Sequence, residues 1–253
     1  LHPLAVKIRE TLDGTRKESS PRLIVIDDEE NIMQALRAGV KVEQVFYTKD
    51  QPASEGLKRA LPAEASVREI ARRTSKKLFE TDKLSRLFAV AQAPAGLSLK
   101  NLANLKRDLV VLDHLGVSGN IGAIIRTAVA FGMGGVVLTG MDTGVYDRRL
   151  IRASRGHIFS LPVVKTTIEE LLQFCKDHDW QLLVTDPRAL HSVYDIAPLE
   201  GRRAIVFGSE KKGCSAQLLE AASFQFKIPT ASKVESLNVA AAAAITLFHR
   251  AER

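Results

Sequence analysis

The second half of the chain alternates strand and helix candidates, which predicts an α/β fold built on a mostly parallel sheet covered on both faces. Its 253 residues with 45% hydrophobic content supply a substantial core and divide most easily into two domains. The run Ala93-Pro94-Ala95-Gly96 interrupts the pattern and reads as an interdomain linker. The expected division is a small α/β domain over 1–95, a linker over 96–105 and a larger α/β domain over 106–253.

Within the first part, a short helix is expected over Pro3–Leu12, then a turn ending at Pro21. Leu23-Ile24-Val25-Ile26 is an apolar strand candidate. The acids Asp27-Asp28-Glu29-Glu30 stand before Ile32, Ala35, Leu36 and Val40, where negative charge complements a helix N-terminus. A metal site is the sharper reading of this acidic run, and capping with solvation is the simpler one. Val42–Tyr47 gives a second strand, and Leu57–Ala60 a short helix before Pro62. Over 64–93, Arg68, Arg72 and Lys76 are spaced by four, with Arg73 and Lys77 in a parallel row. If this segment is partly helical, the rows form one basic face suited to phosphate contacts. A solvated helix face would look the same. Arg86–Ala91 closes the domain as a strand.

Beyond the linker, strands are expected at Leu109–Asp113, Gly135–Thr139, Leu161–Val164, Gln181–Asp186, Arg203–Phe207 and Phe224–Ile228. Helices are expected between them at Asn120–Phe131, Tyr146–Ala153, Ile168–Lys176 and Ser215–Ala222, with a last one at Leu237–His249. The first of these helices carries Ile121, Ile124, Ile125, Ala128 and Val129 at helical spacing, with Asn120 as its candidate N-cap. Arg126 is the one charge on this otherwise apolar segment. A buried cation is expensive unless paired, so Arg126 either faces a site or snorkels to the surface. On a parallel sheet, ligands bind at the carboxyl ends of the strands.

Composition narrows the chemistry. A net charge of +7 suits a polyanionic partner. Cys175 and Cys214 are the only cysteines, which excludes a disulfide framework and makes a reducing cytoplasm the default. No apolar run is long enough to span a bilayer, and the N-terminal stretch has no signal-peptide core. Gly116, Gly119 and Gly122 follow a strand and open a helix, but their spacing departs from the dinucleotide-binding fingerprint. Gly208-Ser209-Glu210-Lys211-Lys212-Gly213 lacks the Gly-Lys-Ser/Thr ending of a Walker loop. The six histidines show no metal-ligand spacing, so no metal is expected. Ser154 and Ser209 lack the flanks of a nucleophile elbow.

Three stretches together carry a resemblance. They are Asn120-Ile121-Gly122-Ala123-Ile124-Ile125-Arg126-Thr127, Ala204–Gly213, and Ile228-Pro229 followed by Val234-Glu235-Ser236-Leu237-Asn238-Val239-Ala240. In this order, at the carboxyl edges of strand candidates, they resemble the three motifs of the SpoU class of SPOUT RNA ribose methyltransferases. The runs Asp147–Gly156 and Phe159–Val164 are similar to the thiostrepton- and nosiheptide-resistance members. The resemblance covers nearly the whole chain, including an N-terminal domain of the ribosomal protein L30e type. Ser118 stands where many SpoU proteins carry proline, and Lys211-Lys212 replaces a more usual small residue.

The resemblance implies a C-terminal SPOUT domain with a deep trefoil knot, an exception to the rule that chains do not thread their own loops. Loops 209–213 and 230–235 would form its walls. It implies S-adenosylmethionine bound in that knot, with Thr185, Phe207, Gly208, Ser209, Glu210, Ile228, Ser236, Leu237 and Asn238 around it. It implies a homodimer in which Arg155 works near the partner's cofactor. Arg126 would hold the central catalytic role, with Asn120 and Glu210 orienting its guanidinium and Ser236 and Asn238 holding ribose and methionine. The implied substrate is the 2′-hydroxyl of one adenosine in the L11-binding segment of large-subunit (23S) ribosomal RNA. Arg68, Arg72, Arg73, Lys76, Lys77, Arg148, Arg149 and Arg152 are the expected RNA contacts. A SpoU enzyme acting on transfer RNA or another ribosomal site is the alternative, and a non-catalytic RNA-binding protein is the alternative of another class.

Overall fold

The structure is a computed structural model that describes residues 8, 22–79, 84–196, 200–231 and 236–251. The chain divides into two compact units. One comprises the chain up to Ala95 together with Tyr146–Ser160, and the other comprises Gly96–Val145 and Leu161–Arg253. The segment Tyr146–Ser160, expected inside the second domain, therefore belongs to the first unit.

The first unit is built on four strands: β1 (Leu23–Asp27), β2 (Val42–Tyr47), β3 (Ser66–Glu69) and β4 (Leu87–Gln92). Their order is β1-β4-β2-β3, with β4 antiparallel to both neighbours and β3 parallel to β2 at the edge. Helices α1 (Glu29–Arg37), α2 (Glu55–Ala60), α3 (Arg72–Leu78) and α5 (Arg148–Ala153) complete it. Glu29 and Glu30 lie in the first turn of α1, where their charge favours the helix end. Asp27 instead closes β1, is buried, and accepts a 2.7 Å bond from Arg148 Nε. Phe88 anchors the core, stacked on Phe46 with centroids 5.2 Å apart and edge-on to Phe79 at 5.0 Å. The helix expected over Pro3–Leu12 lies outside the described residues except at Ile8, which is helical and buried.

Arg68 lies on β3, not on the helix that carries Arg72 and Lys76. Its row is broken because Gln44–Tyr47 of β2 pairs with Ser66–Glu69, and the helix starts only after Ala71. Near the other end of this unit, Gly156 has φ +75°, and a Cβ there would lie 2.8 Å from the Gln34 side chain. Only glycine lets the turn after α5 approach α1 this closely.

The second unit holds a parallel sheet of β5 (Leu109–Asp113), β6 (Gly135–Thr139), β7 (Val163–Thr166), β8 (Trp180–Thr185), β9 (His191–Ser192), β10 (Arg202–Gly208) and β11 (Phe224–Lys227). The spatial order is β7-β6-β5-β10-β8-β11-β9, and every neighbouring pair runs parallel. Helices α4 (Ser118–Ala130), α6 (Ile168–Asp177), α7 (Ala216–Glu220) and α8 (Val239–Ala251) pack on it. Strands β5 and β6 are apolar runs up to a buried polar last residue, and β10 is apolar from Ala204 to Phe207, as expected for a sheet covered on both faces. β7 begins after Pro162, which has no N–H for the ladder. The two-residue β9 has no apolar run to announce it and falls outside the expected strands.

Two polar devices fix the ends of elements in this unit. α6 opens with a capping box in which Thr167 and Glu170 satisfy each other's backbone N–H groups. At the amino ends of β5 and β10, buried Asp108 accepts bonds from Arg203 Nε at 3.2 Å and from Arg250 Nε at 2.8 Å. That pair of bonds ties the end of α8 to the two central strands.

Candidate active site

Strands β6 and β7 lie to one side of β5, whereas β10 and β8 lie to the other. The carboxyl edge at such a reversal is where open α/β sheets form ligand sites. Three segments meet there: the start of α4 after β5, the loop after β10, and the start of α8. Asn120 Nδ2 donates to Glu210 Oε1, and Asn238 Nδ2 donates to Asn120 Oδ1 at 3.3 Å. One short polar chain thus joins all three motifs.

The local structure explains each member. α4 starts at Ser118, with Val117 at its N-cap and no side-chain cap. Asn120 is therefore within the first turn and is not the N-cap, because its amide is engaged by Glu210 and Asn238. Asn238 does cap a helix: its Oδ1 accepts from the N–H groups of Ala240 at 2.9 Å and Ala241 at 3.3 Å. Glu210 sits in a tight loop closed by reciprocal backbone bonds between Ser209 and Gly213, 2.8 and 3.1 Å long. This loop folds back over Gly208, where a Cβ would lie 2.1 Å from the carbonyl carbon of Gly213.

The same edge contains a cluster that no sequence motif announces. Asp113, at the last rung of β5 between Gly208 and Thr139, is fully buried. Its Oδ1 accepts from Thr139 Oγ1 and His114 Nδ1, each at 2.7 Å. Its Oδ2 accepts from the backbone N–H and the hydroxyl of Ser215, each at 2.7 Å. Burial works to raise the Asp113 pKa, but the bonds from Ser215, Thr139 and His114 more than offset it and hold the carboxyl below its ordinary value. Next to Ser215, Cys214 Sγ donates to the carbonyl of Thr185 at 3.4 Å. Burial pushes the Cys214 thiol up to about 12, which leaves it a packing group.

Arg126 lies on α4 beside the buried Ile121, Ile124, Ile125 and Ala128, yet its own side chain is exposed. Its charge therefore carries no burial cost. Among the described residues no hydrogen bond joins Arg126 to Asn120 or Glu210, the two side chains expected to orient it; they bond each other. Among the described residues, no carboxylate lies within ion-pair distance of Arg126.

The residues expected around the cofactor stand at the ends of β8, β10 and β11 and at the approach to α8. Thr185 is half-buried and donates its hydroxyl to the Val206 carbonyl at 2.9 Å. Phe207 is packed inside the sheet at 1% exposure, so its side chain is closed to a ligand. Ile228 and Leu237 are half-buried apolar residues, Ser209 is half-buried, and Ser236 is exposed. The wall expected over 230–235 is described only at Thr230 and Ala231; the rest lies outside the described residues. A separate cavity of about 600 Å³ opens at the opposite, amino edge, lined by Cys175, Trp180, Leu182 and Gly201, and none of the site residues lines it.

In the first unit, α3 turns Ser75 and Leu78 inward and exposes Arg72, Arg73, Lys76 and Lys77. Arg148 departs from its expected part as a phosphate contact. It is 8% exposed, bonded to Asp27, and stacked over the Phe79 ring at 4.1 Å. Burial pushes the Asp27 carboxyl above its ordinary value, and the Arg148 guanidinium pulls it back. Arg152 is partly buried, 3.6 Å from the same carboxylate. Arg149 is exposed, as is Arg155, which has φ +49° and lies 4.0 Å from Glu30.

The profile of the SpoU rRNA Methylase family matches residues 108–248, and that of the Thiostrepton-resistance methylase, N terminus, matches residues 1–105. The 23S rRNA (adenosine(1067)-2'-O)-methyltransferase of Streptomyces laurentii is 36% identical, over 97% of this chain and 92% of that protein. A crystal structure of an RNA 2'-O ribose methyltransferase is 29% identical with a TM-score of 0.81, covering 98% of this chain and 95% of that one. The AdoMet-bound rRNA methyltransferase from Sinorhizobium meliloti is 22% identical with a TM-score of 0.83, covering 98% and 94%. This last likeness is one of fold.

Proposed function

The chain belongs to the SpoU rRNA Methylase family, and from that premise we propose that it methylates the 2′-hydroxyl of an adenosine in 23S ribosomal RNA. The methyl donor is S-adenosylmethionine, the target lies in the L11-binding segment, and the modification confers resistance to thiopeptide antibiotics such as thiostrepton or nosiheptide. The observation that carries this reading is similarity along the full chain to a 23S rRNA adenosine 2'-O-methyltransferase, N-terminal domain included.

The carboxyl-edge residues fit this cofactor. The loop closes so tightly over Gly208 that a Cβ would not fit, and the same edge carries the half-buried Ile228 and Leu237. Main-chain polar groups with apolar neighbours suit a purine, and the nearby Ser209, Ser236 and Asn238 suit an amino acid and a ribose. Phe207, Gly208 and Ile228 hold the adenine by main chain in this reading, while Thr185, Ser209, Glu210, Ser236, Leu237 and Asn238 hold the remainder.

S-adenosylmethionine supplies a methyl carbon already activated by its sulfonium leaving group. The protein's part is then positioning and charge. Arginine stays protonated at neutral pH, so Arg126 clamps the neighbouring phosphate and stabilises negative charge developing on the 2′-oxygen. Asn120, fixed by Glu210 and Asn238, keeps the start of α4 in register with the two loops. The exposed row Arg72, Arg73, Lys76 and Lys77, with Arg68, Arg149 and Arg152, supplies phosphate contacts. Recognition of one folded segment rests on shape and on bases turned outward.

We also assign a homodimer and a trefoil knot. Ile245 and Phe248, one turn apart on α8, are 41% and 51% exposed, an apolar surface suited to a second copy. Arg155 serves the partner's cofactor in this assembly. Insertion of β10 between β5 and β8, with α8 packed on α4 and β10, supports the knot.

Labelled S-adenosylmethionine with deproteinised large-subunit RNA tests the activity. The expected result is incorporation into RNA together with saturable cofactor binding by calorimetry. Binding of RNA without incorporation would leave an RNA-binding protein and remove the enzyme.

A further inference from the structure

We propose that Asp113 is a positioning residue for the cofactor site, acting through Ser215 to hold the 209–214 loop closed over Gly208. This rests on the cofactor reading above and adds a residue to it. Asp113 is fully buried, and all four hydrogen bonds that its carboxylate accepts come from the carboxyl edge of the sheet. They divide cleanly by oxygen. Oδ1 faces Thr139 at the end of β6 and the adjacent His114, whereas Oδ2 takes both donors of Ser215.

Ser215 stands at the N-cap of α7, a position where a serine hydroxyl ordinarily accepts from the first turn. Here it makes no cap bond, and the hydroxyl is turned toward Asp113, to which it donates. A stabilising cap is thus given up to tie the chain down immediately after the loop. Gly213 and Cys214 are the two residues before that tie, and Gly213 is the backbone that presses on Gly208. At the far side of the same loop, Glu210 bonds Asn120. Pulling Ser215 away from Asp113 would loosen the one segment that is both the wall over Gly208 and the carrier of Glu210.

The two oxygens allow a discriminating test. Ser215→Ala removes one donor from Oδ2, and Thr139→Val removes one from Oδ1. Each deletes a single bond to a buried carboxylate, so a purely structural role predicts similar effects from both. The proposal predicts that Ser215→Ala weakens S-adenosylmethionine binding about tenfold by calorimetry, while Thr139→Val leaves it within twofold. Ser215→Thr, which keeps the hydroxyl, restores affinity. Asp113→Asn behaves like Ser215→Ala, and combining the two adds nothing further.

Amide hydrogen exchange over 209–214 gives a second readout that needs no ligand. Ser215→Ala speeds exchange at Ser209 and Gly213 and Thr139→Val does not. Equal loss of affinity from both single variants, or unchanged exchange in Ser215→Ala, overturns the proposal. A wild-type chain that binds no S-adenosylmethionine sinks the cofactor reading, and the exchange comparison still decides whether Asp113 holds the loop.

Discussion

Arg126 is exposed on a helix whose other face buries Ile121, Ile124, Ile125 and Ala128, so its charge is available for chemistry at no desolvation cost. If it stabilises the developing oxyanion and clamps a phosphate, Arg126→Ala lowers methyl transfer by about 100-fold or more. Cofactor affinity stays within a few-fold in this variant, as calorimetry beside single-turnover rates will show. Arg126→Lys keeps the charge but loses the planar fork, and regains only part of the rate. Asp113 gives a pH-dependent prediction. Its folded pKa is held below the ordinary 3.8, so its contribution to stability is present above that value and lost as pH falls through the folded one. Acid unfolding below about pH 4 therefore includes an Asp113 component, and Asp113→Asn flattens that limb while lowering stability at pH 7. At this scale the motif residues Asn120, Glu210 and Asn238 were legible in the sequence, and the structure brings them together. Their partners were not. Nothing in the linear order connects Asp113 to Ser215, 102 residues away, and Asp113 reads only as the end of an apolar strand.

Elements with long apolar runs were legible nearly to the residue, because burial on both faces leaves an uninterrupted signature: β5 and β6 fall on the expected bounds. Short edge elements were not, since pairing decides them more than composition does. Arg68 shows the cost: a fourfold charge spacing suggests a helix, and the edge of β2 recruits those residues as β3. Arg148 shows another. A cluster of arginines reads as an RNA surface, but one member is spent inside the first unit on Asp27 and Phe79. The helix α3 retains both basic rows, and replacing Arg72, Arg73, Lys76 and Lys77 together by alanine should weaken RNA binding at least tenfold. The slope of log K against log salt becomes shallower by about 0.7–0.9 for each phosphate no longer neutralised, as binding over a salt series will measure. An unchanged salt slope would assign the row to solvent.

At the scale of the molecule, the division of the chain is not a single cut. Tyr146–Ser160 is covalently within the second half but packs with the first unit, where Gly156 meets α1 and Arg148 meets Asp27. Truncation at Ala95 would strip that segment of its partners, so removal of the first unit also requires a short linker in place of residues 146–160. The apolar surface of α8 bears on assembly. Phe248→Asp should convert a dimer in sedimentation velocity to a monomer with an intact far-ultraviolet spectrum, whereas a wild-type monomer would remove the shared-site arrangement and the part assigned to Arg155. One measurement tests both the reaction and its target. Deproteinised large-subunit RNA is incubated with the chain and labelled S-adenosylmethionine, and ribose methylation is mapped by its block to primer extension. One stop is expected, at an adenosine of the L11-binding segment, and it disappears with Arg126→Ala. A stop elsewhere, or label on a base instead of a ribose, would contradict that assignment.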